Sequence, residues 1–170
     1  MEHEKPSIKP IAYTYGFYLA LLSIAGIVIL YVLNEDQNWI ISAVSFLITI
    51  VIYYYGITTY KKQNANLLRI KDGLKVGMGM ALVSGIIAAI YAVIHYGIIA
   101  PEFIDGIRQK AIDDMLAQNP NMQGEALETG TKMINIFTSK FFMATMFLVS
   151  SLFFGFLISL VISAIIKNDK

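Results

Sequence analysis

The sequence predicts an all-α integral membrane protein, a bundle of four transmembrane helices with an extracytoplasmic amphipathic helical hairpin between spans three and four. Three observations carry that prediction. Hydrophobic residues make up 56% of the 170 positions and charged residues 15%, against about 45–50% and about 25% in soluble domains. Four stretches, each about two dozen residues long, contain no Asp, Glu, Lys or Arg. Positive charge alternates between the connections that join them.

The charge-free stretches run between Lys9 and Glu35, Asp36 and Lys61, Lys75 and Glu102, and Lys140 and Lys167. A helix rises about 1.5 Å per residue, so each can cover a hydrocarbon core of about 30 Å with some tilt. A soluble helix would show a charged face every turn. The spans are placed at about residues 11–33, 39–60, 76–100 and 141–166, within a single membrane domain covering residues 1–170. The first span is too long for a signal-peptide core, and Tyr31-Val32-Leu33 offers no small-residue cleavage site, so it is expected to stay.

Orientation follows from Lys and Arg. The N-terminal tail carries Lys5 and Lys9, the second connection Lys61, Lys62, Arg69, Lys71 and Lys75, and the C-terminal tail Lys167 and Lys170. The first connection, Asn34-Glu35-Asp36-Gln37-Asn38, has none, and in the third, acids outnumber Arg108, Lys110, Lys132 and Lys140. Basic loops stay in the cytoplasm, so both termini are expected inside. Tyr13, Tyr15, Tyr18 and Tyr60 mark the inner headgroup level, Tyr31, Trp39 and Tyr96 the outer, while Tyr53 and Tyr54 are expected to pack between helices.

Two ladders of small residues predict close helix packing. The third span carries Gly73, Gly77, Ala81, Gly85 and Ala89, and the fourth Ser151, Gly155, Ser159 and Ser163. Residues four apart share one helix face, and small ones let backbones approach in lipid. Spans adjacent in sequence are the economical partners, but contact between two copies of the chain fits the pattern equally. Gly77-x-Gly79 is no nucleotide fingerprint, because it lacks the third glycine and lies inside a span.

Chemistry is sparse. There is no cysteine, hence no disulfide, thiolate metal site or thiol nucleophile. His3 lies in the tail. His95, with Tyr91 one turn earlier, is an intramembrane polar site candidate, against which stands an interfacial ring reaching headgroup water. No set of metal ligands accompanies it, and neither metal nor other cofactor is expected. The span cores hold no charged residue, which counts against an ion-coupled transporter. Ser42, Ser45 and Thr49 could line a path or bond to helix carbonyls. Asp113–Asp114 reads as a solvated helix face rather than an acid/base pair. Net charge is +1, so nucleic acid is not an expected partner.

Two connections look structured. Between Lys61 and Lys75, Leu67, Leu68, Ile70 and Leu74 predict the apolar side of a short interfacial helix, with Lys62, Arg69 and Lys71 facing lipid phosphates or a partner. In the third connection, residues 101–139, Pro101 suits a helix start, with Glu102 and Asp105 complementing its dipole. Phe103, Ile107, Ala111 and Met115 recur every fourth residue until Asn119-Pro120-Asn121 turns the chain. Leu127, Gly130, Ile134 and Phe137 then resume a helical stripe. That stripe faces the first helix, the bilayer surface or a partner.

Taken together, four spans, a basic second connection, the run Gly73-Leu74-Lys75-Val76-Gly77 and residues 96–103 ending Ala100-Pro101-Glu102-Phe103 resemble a bacterial membrane family, domain of unknown function 4199. The resemblance covers nearly the whole chain. It implies a bacterial inner membrane and brings no activity, cofactor or catalytic residue. The expected function is a non-enzymatic accessory or scaffold subunit that binds another membrane or envelope protein, with a homo-oligomer also compatible. The alternative is a small transporter or lipid-handling protein.

Overall fold

The computed structural model describes residues 5–35 and 37–168; His3, Asp36 and Lys170 of the sequence reading lie outside the described residues. Six α-helices follow in order: α1 (Lys9–Leu33), α2 (Trp39–Gln63), α3 (Ile70–Ile94), α4 (Pro101–Gln118), α5 (Gly124–Phe137) and α6 (Lys140–Ile166), with a π-turn, His95–Ile99, extending α3. No strand occurs among the described residues apart from one isolated bridge, Leu68 with Asn168. Four segments, Lys9–Leu33, Trp39–Gln63, Ile70–Ile99 and Lys140–Ile166, are long and apolar enough to cross a membrane.

Local chemistry sets the helix ends. Asn34 ends α1 in the left-handed conformation at φ 54°, which Asn tolerates better than most side chains. Four residues later Asn38 starts α2, its Oδ1 accepting from the amides of Ile40 and Ile41 at 3.0 and 3.2 Å. The side chain of Asn38 also donates to Glu35 at 2.7 Å, closing the connection. α2 runs on through Lys61 and Lys62 to Gln63.

The expected short helix between Lys61 and Lys75 does not form. Its first residues extend α2 and its last begin α3. Between them Ala65 and Asn66 take φ of 51° and 60°, a conformation that stops a right-handed helix. The side chain of Asn64 bonds the Leu67 carbonyl at 2.9 Å, fixing the turn. Leu67 is half-buried and Leu68 fully buried, so their apolar surface goes to the core.

The chain forms two compact units, Met1–Ala88 with Leu148–Lys170, and Ala89–Phe147. In the first, the core gathers Ile11 and Leu19 of α1, Tyr53, Ile57 and Tyr60 of α2, Leu68, Val76 and Met80, and Ile158 and Ile162 of α6. Glycines make the crossings close. A Cβ on Gly16 would lie 2.9 Å from the Met80 carbonyl oxygen, and one on Gly56 2.6 Å from Met80 Sδ. The outward surface is apolar too: Phe17, Leu47, Val51, Phe153 and Val161 are exposed. Tyr54, on the turn of buried Tyr53, is also exposed, so only Tyr53 of that pair packs inside. An apolar exterior of that extent suits lipid rather than water.

In the second unit, Pro101 explains the π-turn. Proline lacks an amide hydrogen and disfavours the α conformation in the residue before it. Ala100 accordingly sits at φ −135°, and its amide reaches back to the His95 carbonyl at 2.8 Å. α4 starts at Pro101, and α5 lies against it, with Met115 Sδ only 2.6 Å from where a Cβ on Gly130 would stand.

Candidate functional site

The small-residue ladders meet in antiparallel register within the chain. Gly73 faces Ser163, Gly77 faces Ser159, Ala81 faces Gly155, and Gly85 faces Ser151 and Leu148. A Cβ on Gly85 would stand 2.8 Å from Leu148 Cδ1, and one on Gly155 2.5 Å from Ala81 Cβ. Ser159 and Ser163 are fully buried. Ser151 donates across the crossing to the Ala81 carbonyl at 2.8 Å, and Ser159 donates within α6 to Gly155 at 2.5 Å. Ser163 Oγ is buried without a hydrogen-bond partner. Ala89, one turn beyond Gly85, is half-buried and belongs to the second unit.

Lys62, Arg69 and Lys71 are exposed, but they flank a tied joint rather than a separate helix. Leu68 and Asn168 exchange two backbone hydrogen bonds of 2.9 Å, and Lys61 donates to the Ile166 carbonyl at 2.8 Å. A cation there complements the C-terminal end of α6. The sequence reading missed the acid in this basic stretch. Asp72, in the first turn of α3, has a side chain only 7% exposed and accepts from Lys5 at 2.7 and 2.8 Å. The partners stand 67 positions apart, so no local pattern announces them.

His95 opens the π-turn and is 2% exposed. The hydroxyl of Tyr91 lies 3.3 Å from its Nδ1, and the rings sit 5.5 Å apart. Tyr96 meets His95 edge-on at 5.1 Å and stacks on Phe103 at 5.4 Å, carrying the cluster into α4. π-turns often mark functional positions, and this one places a buried imidazole among aromatic rings. Tyr91 and His95 are thus in contact, in a pocket of side chains rather than at an open surface. The Lys140 ammonium packs close to Gly97 in the same turn.

Other polar groups satisfy local backbone. Ser42 donates to the Asn38 carbonyl at 2.9 Å and Thr49 to that of Ser45 at 2.8 Å, a back-bonding common for hydroxyls in helices. Asp113 accepts from Gln109 at 2.9 Å on an exposed face. Among the described residues no group of three His, Asp or Glu is placed to hold a metal ion. The α5–α6 junction is built more carefully. Thr138 is buried, donates to the Ile134 carbonyl at 2.7 Å and receives Arg108 Nε at 3.3 Å. Ser139 then accepts from the Phe142 amide at 3.3 Å, capping α6.

Compared with known proteins, the chain matches a family model described as protein of unknown function (DUF4199) over residues 14–168. No curated protein and no solved structure matches it.

Proposed function

The chain belongs to that family of unknown function, and from its geometry we propose that it is a non-catalytic accessory subunit of the bacterial cytoplasmic membrane, with both termini inside and the α4–α5 hairpin outside, that binds another membrane or envelope protein. The observation that supports this reading is the hairpin. The first connection needs only residues 34–38 to join two spans, whereas the third interposes two packed helices. Long ordered connections are more often functional than merely connecting. The exposed side of α4, with Glu102, Asp105, Gln109 and Asp113, offers a polar docking face. Transport of a small or lipidic molecule is the weaker alternative, because Ser42 and Thr49 spend their hydroxyls on their own helix.

The test is replacement of residues 102–138 by a short flexible linker. The accessory reading expects normal membrane insertion with loss of a stoichiometric partner on purification from native membranes. Retained partner and retained complementation of a deletion strain would refute it. Solute uptake by the purified chain alone in vesicles would favour the transport alternative.

A further inference from the structure

The exposed apolar edge of α5 points to a second role for the hairpin. α5 divides its circumference sharply. Glu125, Glu128, Lys132 and Asn135 hold one side, with an ion pair of 2.7 Å between Lys132 and Glu128. Leu127, Gly130 and Ile134 are half-buried, on the side where Gly130 meets Met115 of α4. Between these lies an arc carrying Ala126, Met133 and Phe137, spaced by seven and four residues and therefore aligned along the helix. Met133 is 52% exposed, Phe137 51% and neighbouring Ile136 61%. No residue of α5 is fully buried, so the protein interior does not account for this edge.

The chain itself says what lies against it. Only Thr138 and Ser139 separate α5 from α6, a helix apolar enough to cross a membrane. The Phe137 ring packs edge-on against Phe142, in the first turn of α6, with centroids 4.9 Å apart. Phe141 beside it is 66% exposed, so the apolar edge of α5 continues into the lipid-facing surface of the span. The buried Thr138, held by Arg108, ties this junction to α4. Phe137 thus stands at the depth where the span begins, and the residues one turn behind it lie within about 6 Å of that level along the helix axis.

We propose that α5 is an interfacial helix whose Ala126–Met133–Phe137 edge lies in the headgroup–acyl boundary of the bilayer, its acidic and basic side in water. A helix with an apolar arc, a charged side and modest overall hydrophobicity is the form that lies in an interface rather than across it. The occupant is lipid, so the role is independent of any protein bound to α4. It sets the height of the hairpin above the membrane and leaves the exposed side of α4 free.

The sole tryptophan, Trp39, allows a depth measurement. With Trp39→Phe as background, Met133→Trp, Phe137→Trp and Glu128→Trp are each reconstituted into phosphatidylcholine vesicles, with or without bromine near the top of the acyl chains. The expected result is bromolipid quenching of at least about twofold for Met133→Trp and Phe137→Trp, with protection from aqueous iodide, and the reverse for Glu128→Trp. Far-UV circular dichroism checks the fold, and Met133→Trp alone decides if Phe137→Trp is perturbed. Iodide quenching of Met133→Trp equal to that of Glu128→Trp would overturn the proposal. So would protection from both quenchers, which would place a protein surface over the edge.

Discussion

Replacing Gly77 by alanine while shrinking Ser159 tests the α3–α6 crossing most directly. A Cβ on Gly77 would collide with Ser159 Cβ, and the nearest atom beyond the serine side chain is the Ser159 Cα at 3.6 Å. Gly77→Ala alone therefore forces the helices apart, and overpacking of this kind costs about 1–3 kcal/mol. Ser159→Gly alone opens a gap and places glycine in a helix interior, a loss of about 1 kcal/mol. Combined, the new methyl stands in ordinary contact with the bare Cα. Helix-propensity changes cancel around a double-mutant cycle, so the coupling isolates the clash, at about 1–3 kcal/mol in favour of the double variant. The assay is reversible unfolding in mixed micelles on titration with dodecyl sulfate, followed by circular dichroism. Gly26→Ala is the control, since nothing lies within 4 Å of its added Cβ, and it should leave stability unchanged or raised. Additivity of the two ladder substitutions within about 0.5 kcal/mol would refute the crossing.

Other substitutions follow from particular contacts. Gly85→Leu and Gly155→Leu should each destabilise by more than about 2 kcal/mol in the same assay, while Ile87→Leu should change little. Ser163→Ala should be neutral or stabilising by about 1 kcal/mol, because it removes a buried hydroxyl without a partner. Lys5→Ala strips Asp72 of its cation; with Lys5 half-exposed, the loss should be about 1 kcal/mol and smaller in high salt. The proposed orientation is checked by thiol labelling in intact cells. Cysteine at exposed Gln37 or Gln123 should react with an impermeant reagent and cysteine at Gln63 should not; a reactive Gln63→Cys would invert the topology. Asn64 is a poor choice for that probe, because it is buried and would resist labelling on either side.

The long apolar helices were legible because lipid demands an unbroken run of uncharged residues, a requirement written along the chain. The faces of α3 and α6 were legible for a related reason, since close approach needs small residues at every fourth position. Sequence alone left open whether one chain supplied both faces. Gly73 against Ser163 and Gly85 against Ser151 answer that. The connection between α2 and α3 was misread because its leucines fit an amphipathic pattern. Leu68 is instead drawn inward by pairing with Asn168, 100 positions away, and no local periodicity carries such a contact. The contact between Asp72 and Lys5 was hidden likewise. Pro101 signalled the start of α4, but not that the preceding turn would widen around a buried His95.

The paired backbone of Leu68 and Asn168, with Lys61 on the Ile166 carbonyl and Lys5 on Asp72, bears on how the molecule can be handled. A reporter or affinity handle fused next to any of these tethers would pull on the same joint between α2 and α3. Signal from such a fusion would mix its own strain with whatever it was meant to report. The bend at Asn119-Pro120-Asn121 is exposed and bears few hydrogen bonds to neighbours, and insertions are best tolerated at such loop tips. A small epitope placed there would leave all three tethers untouched.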